Sequence, residues 1–213
     1  MLGTFRSKNS FIFIGVRSYR FVKVNCYNYL MKLKEFFIKK NAHVHGKAVD
    51  FRVDQIRLPN GKKATREYLD HPGAVGVIPL IGKDKVVLVR QYRYPVKEVT
   101  WELPAGKLAK GEHPLPCVKR ELQEETGYTA KKYKKLIAFW PTAAFANEVI
   151  HLYIATGLTS GQNNPDDDEF IDCAIWPLEK AYRAIQTGKI KDSKTIVGLL
   201  ALSSFPRRRE SRS

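Results

Sequence analysis

Between Gly106 and Tyr128 the chain reads GKLAKGEHPLPCVKRELQEETGY, a stretch that sets three glutamates and an arginine within six residues. Glu121 and Glu124 are three apart and Glu121 and Glu125 four apart, so on a helix all three carboxylates project from one side. Like charges at this spacing repel by a few tenths of a kcal/mol, roughly what an ion pair gains. A hard divalent cation, Mg2+ or Mn2+, turns that repulsion into binding. The stretch is therefore the candidate active site.

The flanking residues supply a helix to carry these groups. Pro114 suits the first helical position, and Pro116 still falls in the turn whose N–H groups lack intrahelical partners. His113 is a weak N-cap. Gly127 can take the left-handed conformation that ends a helix, and Gly106 is expected to allow a tight loop ahead of it. Leu115, Val118 and Leu122 recur at helical spacing and are expected on the side opposite the carboxylates, holding the helix to a core.

A solvated amphipathic helix rich in glutamate would explain any one of these residues. The joint pattern of Gly106, Glu112, Arg120, Glu121, Glu124, Glu125 and Gly127 has a chance probability on the order of one in a million. It resembles the Nudix box, the loop-helix-loop motif of the Nudix hydrolases, at every charged and glycine position. The departure is Tyr128, where that family usually has an aliphatic residue.

The surrounding chain is long enough for a full core, with 213 residues, 44% of them hydrophobic. Cys26, Cys117 and Cys173 have no metal-ligand spacing and read as reduced thiols, Cys117 as a small core residue. The net charge of +16 divides unevenly: +5 over residues 1–30, which contain no acid, +3 over 206–213, and +8 between. Such a field attracts a phosphorylated small molecule. Basic residues are not clustered with aromatics on one element, which argues against nucleic acid as the partner. The apolar run Phe11–Val16 is too short to span a membrane.

Strand signals begin near Ala48. Phe51, Val53 and Ile56 alternate with polar residues, Asn60-Gly61 supplies a hairpin turn, and a second strand runs from Ala64 to Leu69. AVGVIPL (74–80) and VVLVRQYRY (86–94) form a more buried pair around Gly82-Lys83-Asp84-Lys85, and TWELPAG (100–106) leads into the box. KKLIAFW, EVIHLYIATGL and Phe170–Trp176 are three further strands, the last preceded by an acidic loop at Asp166–Glu169. Pro177 opens a helix through Ile185 with Gly188 as its stop, and a last helix spans about Ser193–Leu202. The expected fold is α/β: an α/β/α sandwich on a mixed sheet, preceded by a small antiparallel N-terminal sheet. The expected division is a basic extension over 1–46, the small sheet over 47–72, the main domain over 73–203 and a basic tail over 204–213.

Outside the box, REYLDHPGAV, VRQYRYP, WELPAGKLAKGE, PTAAFANEVIHLY and WPLEKAYRAI follow in order the pattern of one Nudix branch, the ADP-ribose pyrophosphatases. That resemblance implies Mg2+-dependent hydrolysis of ADP-ribose to AMP and ribose 5-phosphate, by a homodimer whose N-terminal sheets embrace. It implies metal binding by Glu121, Glu125, Glu124 and the carbonyl of Ala105, with Arg120 orienting the glutamates. It implies substrate binding by Arg66 and Arg93, as guanidinium suits bidentate phosphate recognition. It makes Glu148 the general base, on a loop where Ala143-Ala144 replace the branch's usual Pro-Gly. Trp101 could stack on a base, and its place in a strand favours the core.

Two alternatives accompany this reading. One is a pyrophosphatase for another nucleoside diphosphate sugar such as GDP-mannose; the other is a non-catalytic Nudix ligand sensor, which the intact box disfavours. A cytoplasmic enzyme is expected. Residues 1–30, rich in Arg and Ser, also fit a mitochondrial transit peptide, and Met31 fits an alternative start.

Overall fold

In β4 (Ala74–Ile81) Val75 and Val77 point to one face and Ile78 to the other, and all three are fully buried. A strand buried on both faces needs cover on both, and that requirement sets the layers. In the computed structural model, which describes residues 32–162 and 170–204, β4 lies at the middle of a seven-stranded sheet. The path runs β10–β5–β4–β9–β8 through β5 (Lys85–Arg93), β8 (Tyr128–Phe139), β9 (Ile150–Ser160) and β10 (Asp172–Pro177). Two short strands attach to it: β6 (Glu98–Glu102) pairs with β5, and β7 (Ala105–Lys107) with β4. β4 and β9 run parallel, Ala74–Pro79 beside Ile150–Ala155, and the other pairings are antiparallel, giving the mixed sheet expected.

Helix α1 (Pro114–Thr126) covers one face: Val118 and Leu122 pack with Val75, Val77, Tyr153 and Ala155. Helices α2 (Leu178–Gln186) and α3 (Ser193–Ser204) cover the other, where Ala181, Ala184 and Leu199 meet Ile78, Leu88 and Leu103. α3 comes close because Gly198 has no side chain; a Cβ there would lie 2.8 Å from Leu103 and 3.2 Å from Leu152. Trp101 packs at the edge of this core with its ring 4.6 Å from that of Trp176, the core role its strand position favoured.

The N-terminal sheet has three strands, β1 (Phe36–Val44), β2 (Asp50–Arg57) and β3 (Lys63–Asp70), all antiparallel. β1 falls inside residues 1–46, the stretch set apart by composition as an extension. It escapes a periodicity reading for a physical reason: its register with β2 shifts between Phe37 and Lys39 and again between Lys40 and Ala42, so alternation is broken twice. The buried phase of β2 also differs from the apolar pattern, with Asp54 and Ile56 inward and Phe51 exposed. The readings of residues 1–30, of Asp166–Glu169, of Cys26 and of the tail from 205 onward lie outside the described residues. Among the described residues no helix is long and apolar enough to cross a membrane.

Candidate active site

Helix α1 begins where His113 Nδ1 accepts from the Leu115 amide at 3.3 Å, so the weak cap does serve as one, with Pro114 following it. It ends at Gly127, φ 72°, whose amide donates to the Gln123 carbonyl at 2.8 Å. Between these ends the carboxylates are not set opposite the apolar stripe. Val118 and Glu125 are two turns apart and point the same way, and Glu121 and Glu125 are 9% and 2% exposed. Buried carboxylates are costly without partners, so their neighbours define the site.

β7 provides some of those neighbours. The Ala105 amide donates to Glu125 Oε2 at 2.9 Å. Gly106 is needed for close approach rather than for a loop: it lies within β7, and a Cβ there would fall 1.8–2.2 Å from the carboxyl atoms of Glu121. Arg120 Nη1 donates to Glu124 at 2.7 Å and pairs with Glu121 at 2.8 Å, while its Nη2 stands 3.6 Å from Glu112. Burial works against the Arg120 charge, but Glu121 and Glu124 more than offset it and its pKa rises. Glu112 accepts from the Ala109 amide at 2.9 Å, and that bond, with Arg120 nearby, lowers its pKa. Cys117, at the back of the helix, is fully buried, and burial pushes its thiol up to about 12. It is no nucleophile at neutral pH.

Arg93, at the end of β5, donates from Nε and Nη2 to the two oxygens of Glu102 at 2.8 and 2.6 Å. Glu102 is itself almost fully buried and also takes Lys194 and the Thr100 hydroxyl. The Glu102 pair is the main cause of a raised Arg93 pKa, and Asp192 and Glu125 add to it, so Arg93 lies within electrostatic reach of the α1 carboxylates. Neither Glu102 nor Lys194 was anticipated. A glutamate between the apolar Trp101 and Leu103 was the available signal; Lys194, 92 residues on, had none.

Burial would raise the Glu102 pKa, but Arg93 and Lys194 hold it down to about 2, from an ordinary 4.5. A carboxylate depressed on folding stabilises above its unfolded pKa, and that contribution disappears as pH falls toward the folded value. On the order of 3 kcal/mol should therefore be lost between about pH 4.5 and pH 2. Acid unfolding followed by circular dichroism checks this: Glu102→Gln should be less stable than wild type at pH 7 and flatter across that window. Parallel curves for the two proteins would refute the assignment.

Glu148 lies in the loop before β9, beside His71. Its Oε1 is 3.8 Å from His71 Nε2, and His71 Nδ1 accepts from the Gly73 amide at 3.0 Å, which leaves the ring proton on the side facing Glu148. His71 was not singled out from the sequence. The loop is pinned to β3: Leu69 donates to the Phe145 carbonyl, the His71 amide donates to Asn147 Oδ1 at 2.7 Å, and Asn147 Nδ2 donates to Asp70 at 2.6 Å. Ala143-Ala144 sit in a turn closed by Phe145 and Ala146 amides on the Thr142 carbonyl, at 3.2 and 3.1 Å. An open cleft of about 680 Å³ lies between Asp70–Pro72 on one side and the loop from Ala109 to Pro114 on the other.

The fold thus gathers Ala105, Arg120, Glu121, Glu124 and Glu125 around one end of β7, with Arg93 in electrostatic reach. Arg66 is engaged elsewhere, its guanidinium on Glu35 in the exposed face of the N-terminal sheet.

Comparison with known proteins supplies an independent line. Residues 70–197 match the family profile described as NUDIX domain. The chain is 43% identical over 168 residues to a methanol dehydrogenase activator of Bacillus methanolicus and 40% identical over 168 residues to an ADP-ribose pyrophosphatase of Bacillus subtilis. Each alignment covers 78% of this chain and 91% of the relative. A GDP-mannose pyrophosphatase of Citrobacter koseri is 35% identical over 154 residues, 65% of this chain and 78% of that one. A solved structure titled as an ADP compounds hydrolase superposes with a TM-score of 0.70 at 17% identity, covering 80% of this chain and 92% of that one; the likeness is one of fold.

Proposed function

Since the chain belongs to the Nudix family, we propose that it hydrolyses the diphosphate bond of ADP-ribose, giving AMP and ribose 5-phosphate, with Mg2+ as the cofactor. The observation that carries this reading is the pair of buried carboxylates, Glu121 and Glu125, pressed against β7 where a glycine makes room for them. The ADP-ribose pyrophosphatase relative, which aligns over most of both chains, favours the substrate.

The donor set suits a hard cation. Glu121, Glu124, Glu125 and the Ala105 carbonyl offer only oxygen, and there is no imidazole among them. When bound, such a cation lowers the pKa of its water and offsets charge that builds on the diphosphate oxygens. The protein's own groups do the positioning. Arg120 holds Glu121 and Glu124 in place through Nη1, and the Ala105 amide does the same for Glu125. Arg93 has its Nε and Nη2 edge fixed by Glu102, which turns Nη1 away from that pair to take a phosphoryl oxygen. Glu148 accepts the proton of the attacking water at a carboxylate oxygen, with the His71 Nε2–H facing the group at 3.8 Å. Little covalent help is needed; alignment and charge compensation carry the step.

Self-association fits the exposed apolar side chains Phe37, Val44, Tyr94 and Val96 on the N-terminal sheet and the β5–β6 connection. In a homodimer Arg66 would serve the partner's substrate, which accounts for its place away from the carboxylates of its own chain.

A hydrolysis panel tests the proposal: ADP-ribose, GDP-mannose, NADH, diadenosine polyphosphates and nucleoside triphosphates, each with Mg2+. ADP-ribose should give the highest kcat/KM. A preference for GDP-mannose, the substrate in the name of one relative, would move the assignment to that alternative; no metal-dependent turnover of any member would favour the ligand sensor.

A further inference from the structure

His43 on β1, His45 just beyond its end and Asp50 at the start of β2 converge at the tip of the first hairpin. His43 and His45 are two apart with their rings in contact, and the chain reverses through Gly46 to Val49, returning Asp50 beside them. The reversal is tight enough that a Cβ on Gly46 would sit 2.2 Å from the Val49 carbonyl oxygen. His43 Nε2 is 2.8 Å and His45 Nδ1 3.2 Å from the same Asp50 oxygen, Oδ2, and the ring centroids are 3.9 Å apart. Asp50 Oδ1 takes the Gly46 amide at 3.3 Å. One donor atom from each residue lies within 4.8 Å of the other two.

We propose that His43, His45 and Asp50 form a binding site for a divalent transition metal, Zn2+ in class, separate from the carboxylates of α1. With ligand bonds of about 2.0–2.1 Å, tetrahedral geometry puts donors about 3.3 Å apart. The two separations from Asp50, 2.8 and 3.2 Å, are near that value, so a small outward shift of the carboxylate admits the ion in place of its two contacts with the imidazoles. Two imidazoles and one carboxylate select zinc-like ions over Mg2+. Three protein ligands leave a fourth position for water or an anionic group, and Asp50 also lines the cleft. Lys40 Nζ is the donor in a 3.5 Å contact with His43 Nδ1, and it must move off for Nδ1 to carry the ring proton once Nε2 binds the ion; Arg52, opposite His43 in the β1–β2 register, is held by Asp70 at 2.6 Å. Binding clamps the turn end of the β1–β2 hairpin.

The test titrates the full chain, stripped of metal, with Co2+ in excess Mg2+, so that the oxygen-only carboxylate site is occupied. Intense visible absorption from four-coordinate Co2+ should saturate at one equivalent per chain and be bleached by one equivalent of Zn2+. His45→Ala removes an exposed ligand with little risk to folding, and with Asp50→Ala it should weaken Co2+ binding at least about 100-fold. Glu121→Gln with Glu125→Gln should leave the band unchanged. Zn2+ should raise Tm by a few degrees in wild type and not in His45→Ala. No band in wild type at 1 mM Co2+, a band that survives in His45→Ala, or one lost with the α1 double substitution would each overturn the proposal.

Discussion

Glu121→Gln and Glu125→Gln should each lower kcat/KM for ADP-ribose by about 100-fold or more while leaving the fold in place. The side chains are buried within a helix that keeps its cap, its C-terminal glycine and its apolar contacts in both variants. A glutamine can still accept the Ala105 amide at position 125, so the backbone of β7 keeps its partner. What the amide cannot supply is the negative charge that holds a hard cation. In the absence of metal, Tm should therefore stay near wild type, because a repulsive pair on one helix face is relieved. The rise in Tm on adding Mg2+ should shrink in parallel with activity. Near wild-type turnover at saturating Mg2+ in either variant would remove that residue from the ligand set.

Glu148→Gln should lower kcat by at least about 100-fold with KM little changed, the pattern of a group that acts in the transition state alone. The substitution is nearly isosteric, and the loop does not depend on it, being held by Leu69, Asp70 and His71 through main-chain and Asn147 contacts. The Mg2+-induced rise in Tm should be retained, which separates proton transfer from metal binding. A variant that keeps its kcat, or that loses the Mg2+ response, would pass the base role to Glu124, the least buried of the three helix glutamates.

The helix and its caps were legible because each depends on neighbours in sequence: the Pro114 start, the Gly127 stop and the three- and four-residue spacing of the glutamates are local facts. The sheet was legible for the same reason, since Val86–Val89 announce a strand buried on both sides. What the pattern misjudged was long-range. That Glu121 and Glu125 are buried follows from β7 lying against α1, and Gly106 has its reason only once Glu121 is beside it. Glu102 and Lys194 meet across 92 positions, and His71 and Glu148 across 77, so no window of sequence contains either pair. The first strand was hidden for a different reason, its two register shifts having erased the period that a strand is read by.

The loop that carries Glu148 takes part of its anchor from outside the recurrent module. The family match begins at residue 70, yet Leu69 forms the bridge with Ala146 and gives its amide to the Phe145 carbonyl. The module's border and the border of the working machine therefore differ by a strand. A fragment excised at residue 70 would inherit the acidic helix, its glycines and the two-faced sheet, and would keep the Asp70 and His71 contacts of the loop while losing its main-chain rungs on Leu69. Transplanting this active centre into another scaffold means carrying β3 along as freight, and recombination that exchanged N-terminal sheets between relatives would also exchange the setting of that one glutamate.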